Sequence, residues 1–298
     1  MTRPFRFGVV AAGARSGDEW SEKARRVESL GYSTLVVPDN LQYTLAPLPA
    51  LAVAAAATRT LRVGTYVLAN DFRNPVLLAK DAATLDLLSG GRLELGLGAG
   101  RPDSARENRM LGIDFDRGGV RVGRLAESLA LVKQLLSGET VTASGPHYTS
   151  SEAQVSPAPV QKPHPPILVA GIGPRMLALA AREADIIAFG LAPTETEDAA
   201  AEKVRLVREA AGHRFDRLEL NLNLMAVGDR VPWHVSTRIG LDAAALAAAG
   251  SIAAVTGTTD EMCETLLRRR DRLGISYLLV ADELMDALAP VVDRLAGR

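Results

Sequence analysis

Apolar positions along this chain follow two alternating rhythms. Short runs that alternate every second residue, or stay apolar throughout, lie at 5–11, 34–38, 62–69, 93–98, 166–170, 185–189, 218–227 and 277–281. They predict eight strands. Between them, segments at 18–30, 49–58, 75–88, 121–136, 175–183, 195–211, 260–272 and 286–295 read as helices. The helix at 121–136 is the plainest, apolar at Leu125, Leu129, Val132, Leu135 and Leu136. Pro75 stands at a first helical position, where its missing N–H removes no helical bond. In the seventh strand Leu218, Leu220, Leu222 and Leu224 share one face, and Asn221 and Asn223 share the other. Two amides on one strand face point into an enclosed polar interior.

Eight strand–helix units in 298 residues, with no Pro/Ser-rich linker between them, predict an α/β fold. The expected architecture is a single (β/α)8 barrel, one domain over 1–298. Three segments exceed ordinary loop length: 101–119 after strand 4, 137–165 after helix 4, and 228–257 after strand 7. The first and third leave the C-terminal ends of strands, where barrels build their sites. The second belongs nominally to the opposite face, unless it wraps around.

Charge and composition narrow the partners. A net charge of −1 argues against nucleic acid or an anionic membrane. The single cysteine, Cys263, excludes internal disulfides, fits a reducing cytosol and reads as a buried helix residue. The N-terminal apolar run is too short for a signal peptide, and the Ala-rich run at 50–57 too short to span a bilayer. A soluble, cytoplasmic protein is expected. The four histidines are scattered without metal-ligand spacing, so no metal is expected, and no GxSxG element supports serine acyl transfer.

Candidate chemistry gathers at strand ends. The strand at 93–98 dissolves into Gly98-Ala99-Gly100, small residues that let a flat ligand lie against bare backbone. Asp39 and Asn40 end strand 2, and Asn70-Asp71-Phe72-Arg73-Asn74 ends strand 3; either group serves a site or caps a turn or helix. Gly171-Ile172-Gly173-Pro174-Arg175 follows strand 5 and opens a helix, either an anion site or a tight turn. It is not GxGxxG, so a Rossmann dinucleotide site is not supported. Arg101, Asp103, Arg106, Glu107 and Arg109 form a charged loop, either solvated or a lid over an acidic ligand tail.

Several stretches together carry a resemblance: FRFGVV, LVVPD, RVGTYVL, FRNPVLLAKDAATLDLLSGGRLELGLGAG, RENRMLGIDF, PPILVAGIGPRMLALAAREADII and LGISYLLV. In order and spacing they resemble the luciferase-like monooxygenase superfamily, in its branch of coenzyme F420-dependent oxidoreductases. The resemblance covers nearly the whole chain. It implies a barrel, often dimeric, with a deazaflavin (coenzyme F420) or, alternatively, FMN at the C-terminal mouth. The cofactor ring would lie beside Asp39, the strand-3 end (Tyr66, Val67, Leu68, Ala69, Asn70) and Ala99-Gly100. A non-prolyl cis peptide would fall at Tyr66–Val67. The cofactor phosphate would lie near Gly171, Ile172, Gly173, Pro174, Arg175 and Gly190. A homodimer would use helices 2 and 3, where Ala52, Ala54, Ala55, Ala56, Ala57, Ala79, Ala82 and Ala83 permit close approach.

Departures from the family pattern redirect the chemistry. Asn40 stands where many relatives carry His, Asn74 where near relatives carry His, and Arg101 where relatives carry Trp or an acidic residue. Asn exchanges no proton near neutral pH, so sugar-phosphate dehydrogenation is not expected. The expectation is an F420-dependent hydride transferase reducing an activated C=C, C=N or C=O bond of a small molecule. Asn40 and Arg101 would polarise the acceptor, and Glu107 or water would supply the proton. The alternatives are an FMN-dependent two-component monooxygenase and a non-redox ligand-binding barrel that has lost catalytic groups.

Overall fold

Parallel pairing runs around a closed ring in the computed structural model, which describes residues 3–101 and 104–298. The ring is made by β1 (Arg6–Val10), β2 (Thr34–Val37), β3 (Arg62–Thr65) continued by β4 (Leu68–Ala69), β5 (Leu93–Gly98), β8 (Ile167–Gly171), β9 (Ile186–Phe189), β10 (Glu219–Leu224) and β13 (Ile275–Ala281). Neighbours run β3-β2-β1-β13-β10-β9-β8-β5, and β3 pairs β5 to close it. β2 and β9 are buried at every position, as strands covered on both faces must be. Outside pack α1 (Gly17–Ser29), α2 (Pro47–Ala57), α3 (Pro75–Leu88), α5 (Gly118–Ser137), α6 (Pro174–Glu183), α7 (Glu197–Ala211), α9 (Thr259–Leu273) and α10 (Met285–Leu295). This is the (β/α)8 barrel expected.

The three long segments hold structure that the apolar pattern did not announce. The first contains α4 (Ala105–Met110); Pro102 and Asp103 lie outside the described residues. The second is an antiparallel hairpin of β6 (Val141–Ser144) and β7 (Thr149–Ala153). Its tip turns toward the active face. On α5, Glu127 accepts bonds from the backbone N–H groups of Tyr148 (2.8 Å) and His147 (3.1 Å). Asn70 Nδ2, just past β4, donates to the Tyr148 hydroxyl at 3.0 Å. So this insertion does wrap around. The third segment leaves the barrel as β11 (Ala226–Val227), which pairs β12 (Ala254–Val255). With α8 (Ala243–Ala248) it buries a small core of its own around Val235, Ala243 and Leu246. The expected strand at 218–227 therefore divides: Leu224 is its last barrel residue.

The expected strand at 62–69 also divides, for a reason that shapes the interior. Gly64 pairs Glu94, but Leu68 pairs Leu97, so four steps on one strand match three on the other. The extra residue forms a bulge at Tyr66–Val67, where the peptide bond is cis. The Thr65 hydroxyl bridges the gap, donating to the Gly96 carbonyl and accepting from the Gly96 N–H, both at 2.8 Å. A Cβ on Gly96 would lie 2.0 Å from the Thr65 carbonyl oxygen, and one on Gly98 2.7 Å from Val67 Cγ2. The period-two glycines of β5 exist to admit this bulge.

Below the bulge, ionic groups fill the barrel floor. Glu94, 3% exposed, accepts from Arg6 Nη1 at 2.5 Å and Arg62 Nε at 2.6 Å. Arg6 also grips Glu219 with two bonds (2.9 and 2.6 Å) and stacks 3.8 Å over the Tyr277 ring. Burial pushes the Glu94 carboxyl up, but the Arg6 and Arg62 guanidiniums outweigh it and hold it below the ordinary 4.5. Its contribution to stability is thus present above that value and lost as pH falls through the lower folded value. Replacing Glu94 by Leu strands two guanidiniums and should cost about 3–5 kcal/mol by chemical denaturation at pH 7. The stability gap between wild type and Glu94→Gln should narrow below pH 4.5; a gap that stays constant with pH would show that the charge contributes nothing.

Candidate active site

The site can be assembled from the strand ends inward. Tyr66, re-aimed by the bulge, donates its hydroxyl to Asn221 Oδ1 at 3.1 Å, and Asn221 Nδ2 donates to the Tyr277 carbonyl at 3.1 Å. Burial pushes the Tyr66 phenol well above its ordinary range, so it remains a protonated donor. Asn221 thus lies in the polar interior the strand pattern predicted. Nearer the mouth, Asn223 Oδ1 is buried with no hydrogen-bond partner, as is Asn70 Oδ1 at the end of β4. Unpaired buried acceptors of this kind fit a flat heterocycle that brings N–H donors.

Asp39 braces the opposite wall. Its carboxylate, with the side chain 5% exposed, accepts from the Ala69 N–H at 3.1 Å and from Arg73 at 2.5 and 3.3 Å. Both oxygens hold the β4 end in place, so Leu68, Ala69 and Asn70 sit on a fixed backbone. Ala99 and Gly100 are fixed from outside: Arg121 Nη1 donates to the Ala99 carbonyl at 2.6 Å and the Gly100 carbonyl at 2.5 Å. The Arg121 guanidinium lies 4.0 Å over the Phe115 ring. Gly100 has φ +79°, a left-handed turn suited to glycine. Arg121 and Tyr148 are organising residues that sequence reasoning missed, whereas Arg73 lay in the segment it singled out at the end of strand 3. Arg121 was hidden at the start of an amphipathic helix.

Two residues expected to be catalytic each bond to backbone N–H groups. Asn40 Oδ1 accepts from the Gln42 and Tyr43 N–H groups, both at 2.9 Å. That is a side-chain-capped turn, which engages the amide oxygen, whereas polarising an acceptor would fall to the Nδ2 donor. Glu107, 8% exposed, accepts from the Leu41 N–H at 2.7 Å and so latches α4 onto the same turn. Arg101 is exposed, and its backbone is held by Ser104: N–H to Oγ at 3.3 Å and carbonyl to the Ser104 N–H at 2.9 Å. α4 turns Glu107 and Asn108 inward and Arg106 and Arg109 to solvent. At Asn74 the capping reading holds, since its Oδ1 accepts the Val76 N–H of α3 at 2.9 Å. Asp71 pairs with Arg124 at 2.8 Å beside an open polar groove of about 460 Å³ that Asp114, Asp116 and His147 also line.

The phosphate-side elements come together. Gly173 caps α6, Pro174 begins it, and its first turn carries no side-chain cap and no acidic residue. The helix end therefore presents free N–H groups to an anion. Gly171 is required locally, because a Cβ would stand 2.2 Å from Met176 Cγ. Gly190 N–H reaches back to the Gly171 carbonyl at 3.4 Å, Ile172 is half exposed, and Arg175 Nη1 stands 2.9 Å from the space a Cβ on Gly119 would take. Among the described residues no cluster of three or more His, Cys, Asp or Glu could hold a metal ion.

The mouth of this (β/α)8 barrel offers a bare strand end, orphaned amide acceptors and an open helix N-terminus, an arrangement that suits a flat anionic ligand. Residues 4–232 match the family model of the luciferase-like monooxygenases, and the chain belongs to that family. It is 33% identical, over 72% of its length, to an F420-dependent glucose-6-phosphate dehydrogenase of Nakamurella multipartita. The same-named protein of Microbacterium testaceum is 33% identical over 62% of this chain. The matched stretch spans 66% and 56% of those relatives' own lengths. The F420-dependent tetrahydromethanopterin reductase of Methanopyrus kandleri shares the fold, with a TM-score of 0.79 at 17% identity over 98% of this chain and 99% of that one.

Arg121→Leu should remove the clamp on two carbonyls and cost about 2 kcal/mol of stability. A denaturant midpoint equal to wild type would show that the Ala99-Gly100 end holds itself.

Proposed function

We propose that this chain is a coenzyme F420-dependent oxidoreductase that reduces an activated C=C, C=N or C=O bond of a small organic molecule. One observation carries the reading. The Tyr66–Val67 bulge fills the space over Gly96 and Gly98, beyond it the strand end at Ala99-Gly100 carries only small side chains, and the unpaired Asn223 oxygen lies close to the mouth. It is a cradle for a flat ring with N–H groups at its edge. The open α6 N-terminus at Gly171, Ile172, Gly173, Pro174 and Arg175, with Gly190 beside it, suits the phosphate of the same molecule. The F420-dependent relatives favour a deazaflavin over FMN.

When bound, a reduced deazaflavin supplies hydride chemistry of its own. This chain's residues position and polarise. Tyr66 and Asn221 support the ring from within the barrel, and Asp39 with Arg73 keeps the β4 end rigid. Arg101, at the end of β5, is the cation we assign to the acceptor's developing negative charge. Asn40 and Glu107 contribute by holding the turn at 40–43, and water at the open mouth supplies the proton. Asn40 exchanges no proton, so it cannot serve as the base of a sugar-phosphate oxidation.

We further propose that the working form is a homodimer through α2 and α3. α2 is apolar all round, α3 is mostly apolar with Lys80 and Asp81 exposed, and Val53, Leu77, Leu87 and Leu88 are 44%, 66%, 46% and 72% exposed. Leu77→Glu should halve the mass seen in sedimentation; an unchanged mass places the contact elsewhere. The cytosol suits this chemistry, and no described helix is long and apolar enough to cross a membrane.

Titration with F420 and with FMN, followed by cofactor fluorescence and Tm, tests the cofactor. F420 should bind at least about tenfold more tightly, a difference of about 1.4 kcal/mol. Preferential FMN binding would instead favour a two-component monooxygenase. Binding of neither by folded protein would leave a non-redox barrel.

A further inference from the structure

The described residues expose two aromatic side chains beyond half of their surface, Tyr43 at 57% and Trp233 at 58%, and one arginine joins them. The Arg238 guanidinium lies 4.5 Å from the Tyr43 ring centroid and 5.5 Å from that of Trp233. Both rings sit on strand-end segments of the barrel mouth. Tyr43 follows β2, four residues after Asp39. Trp233 follows β11, in the insertion above β10.

The backbone beneath each ring is tied down by hydrogen bonds. Tyr43 belongs to the turn capped by Asn40 and latched by Glu107. The Trp233 N–H donates to Glu283 Oε2 at 2.7 Å, tying it to the turn after β13. The Trp233 carbonyl accepts from the Ser236 and Thr237 hydroxyls at 3.0 and 2.7 Å. Arg238 follows on a tight π-helical turn, Val235–Ile239, which ends at Gly240 with φ +75°. It has no carboxylate partner among the described residues. Leu41 and Ile239, 44% and 46% exposed, add apolar surface along the same segments.

Two exposed aromatic rings, with a guanidinium between them that no carboxylate of the described residues neutralises, favour one chemical class. The rings offer stacking to a flat conjugated system, and the cation offers charge to an anionic edge. A sugar phosphate would match the charge but offer the rings only C–H faces, with no conjugated plane to stack. We infer that the substrate is a planar conjugated carboxylate, held at the mouth by Tyr43, Trp233 and Arg238. This rests on the reductase reading for the reaction, but the binding preference stands apart from it.

The test is a calorimetric titration with three non-reacting probes: 2-naphthoate, cyclohexanecarboxylate and glucose 6-phosphate. Apo protein and F420-loaded protein are each titrated. The planar carboxylate should bind about tenfold more tightly than cyclohexanecarboxylate of equal charge, and glucose 6-phosphate more weakly than either. Trp233→Leu should erase most of the planar preference, and Trp233→Phe should keep much of it. Arg238→Gln should weaken both carboxylates while leaving their ratio nearly unchanged. F420 affinity, read from its own fluorescence, should be the same in all three variants. Equal binding of the two carboxylates, or a preference that survives Trp233→Leu, would overturn the inference while F420 binding persists. Failure to bind F420 together with intact naphthoate selectivity would overturn the reductase reading alone.

Discussion

The mouth of this barrel depends on one steric match, between the extra residue in the third barrel strand and the missing side chains of β5. A bulge in a closed barrel must push into a neighbour, because the ring has no free edge on which to relax. Here it pushes toward Gly96 and Gly98, and the Thr65 hydroxyl supplies hydrogen bonds where the ladder lapses. Tyr66 is thereby turned into the interior to meet Asn221. The glycines serve twice: below, they admit the bulge, and at the strand end they leave backbone bare for a ligand. Alanine at either position would move the wall that defines the site.

A second tier of contacts fixes the rim. Arg121 and Arg73 each reach from a helix or loop to a strand end, one gripping two carbonyls and the other a carboxylate. Glu127 does the same for the hairpin tip, which brings Tyr148 to Asn70. Each is a charged group bonded to backbone or to a buried acid, the geometry in which such bonds contribute most. They let long insertions hold fixed positions over the mouth, as positioning of a bound ring and acceptor requires.

Much of this was legible in the residue order. The eight barrel strands and their covering helices follow from apolar periodicity, and α3 was bounded to the residue by Pro75 and the Ser89-Gly90 stop. Asn221 was placed inside by strand alternation alone. What stayed hidden was set by tertiary packing. A bulge has no local signature when both halves of the strand are apolar, so 62–69 read as continuous. The hairpin at 141–153 is polar on both faces, with burial confined mostly to Val141, so it gave no alternation to read. Asn40 and Glu107 were named by position at strand ends. Their actual bonds run to backbone N–H groups that only the folded turn brings within reach.

That reassignment bears on how the family's chemistry varies. A histidine after the strand-2 aspartate would place a titratable ring at the mouth, whereas Asn40 turns its oxygen back to two backbone N–H groups. The same position thus changes from proton transfer to loop geometry without changing the barrel. Once the turn is fixed, Tyr43 is held in place beside Arg238, and the chemistry of recognition passes from acid–base groups to ring faces and a guanidinium. Among the described residues, the scaffold below meets that turn only through the end of β2, where the Tyr66 N–H donates to the Val37 carbonyl and Asp39 accepts from the Ala69 N–H. A barrel whose strand-end wall and outer rim rest on largely different side chains can keep one while the other is rebuilt, and this is the physical sense in which a fold can constrain a cofactor and leave the substrate open.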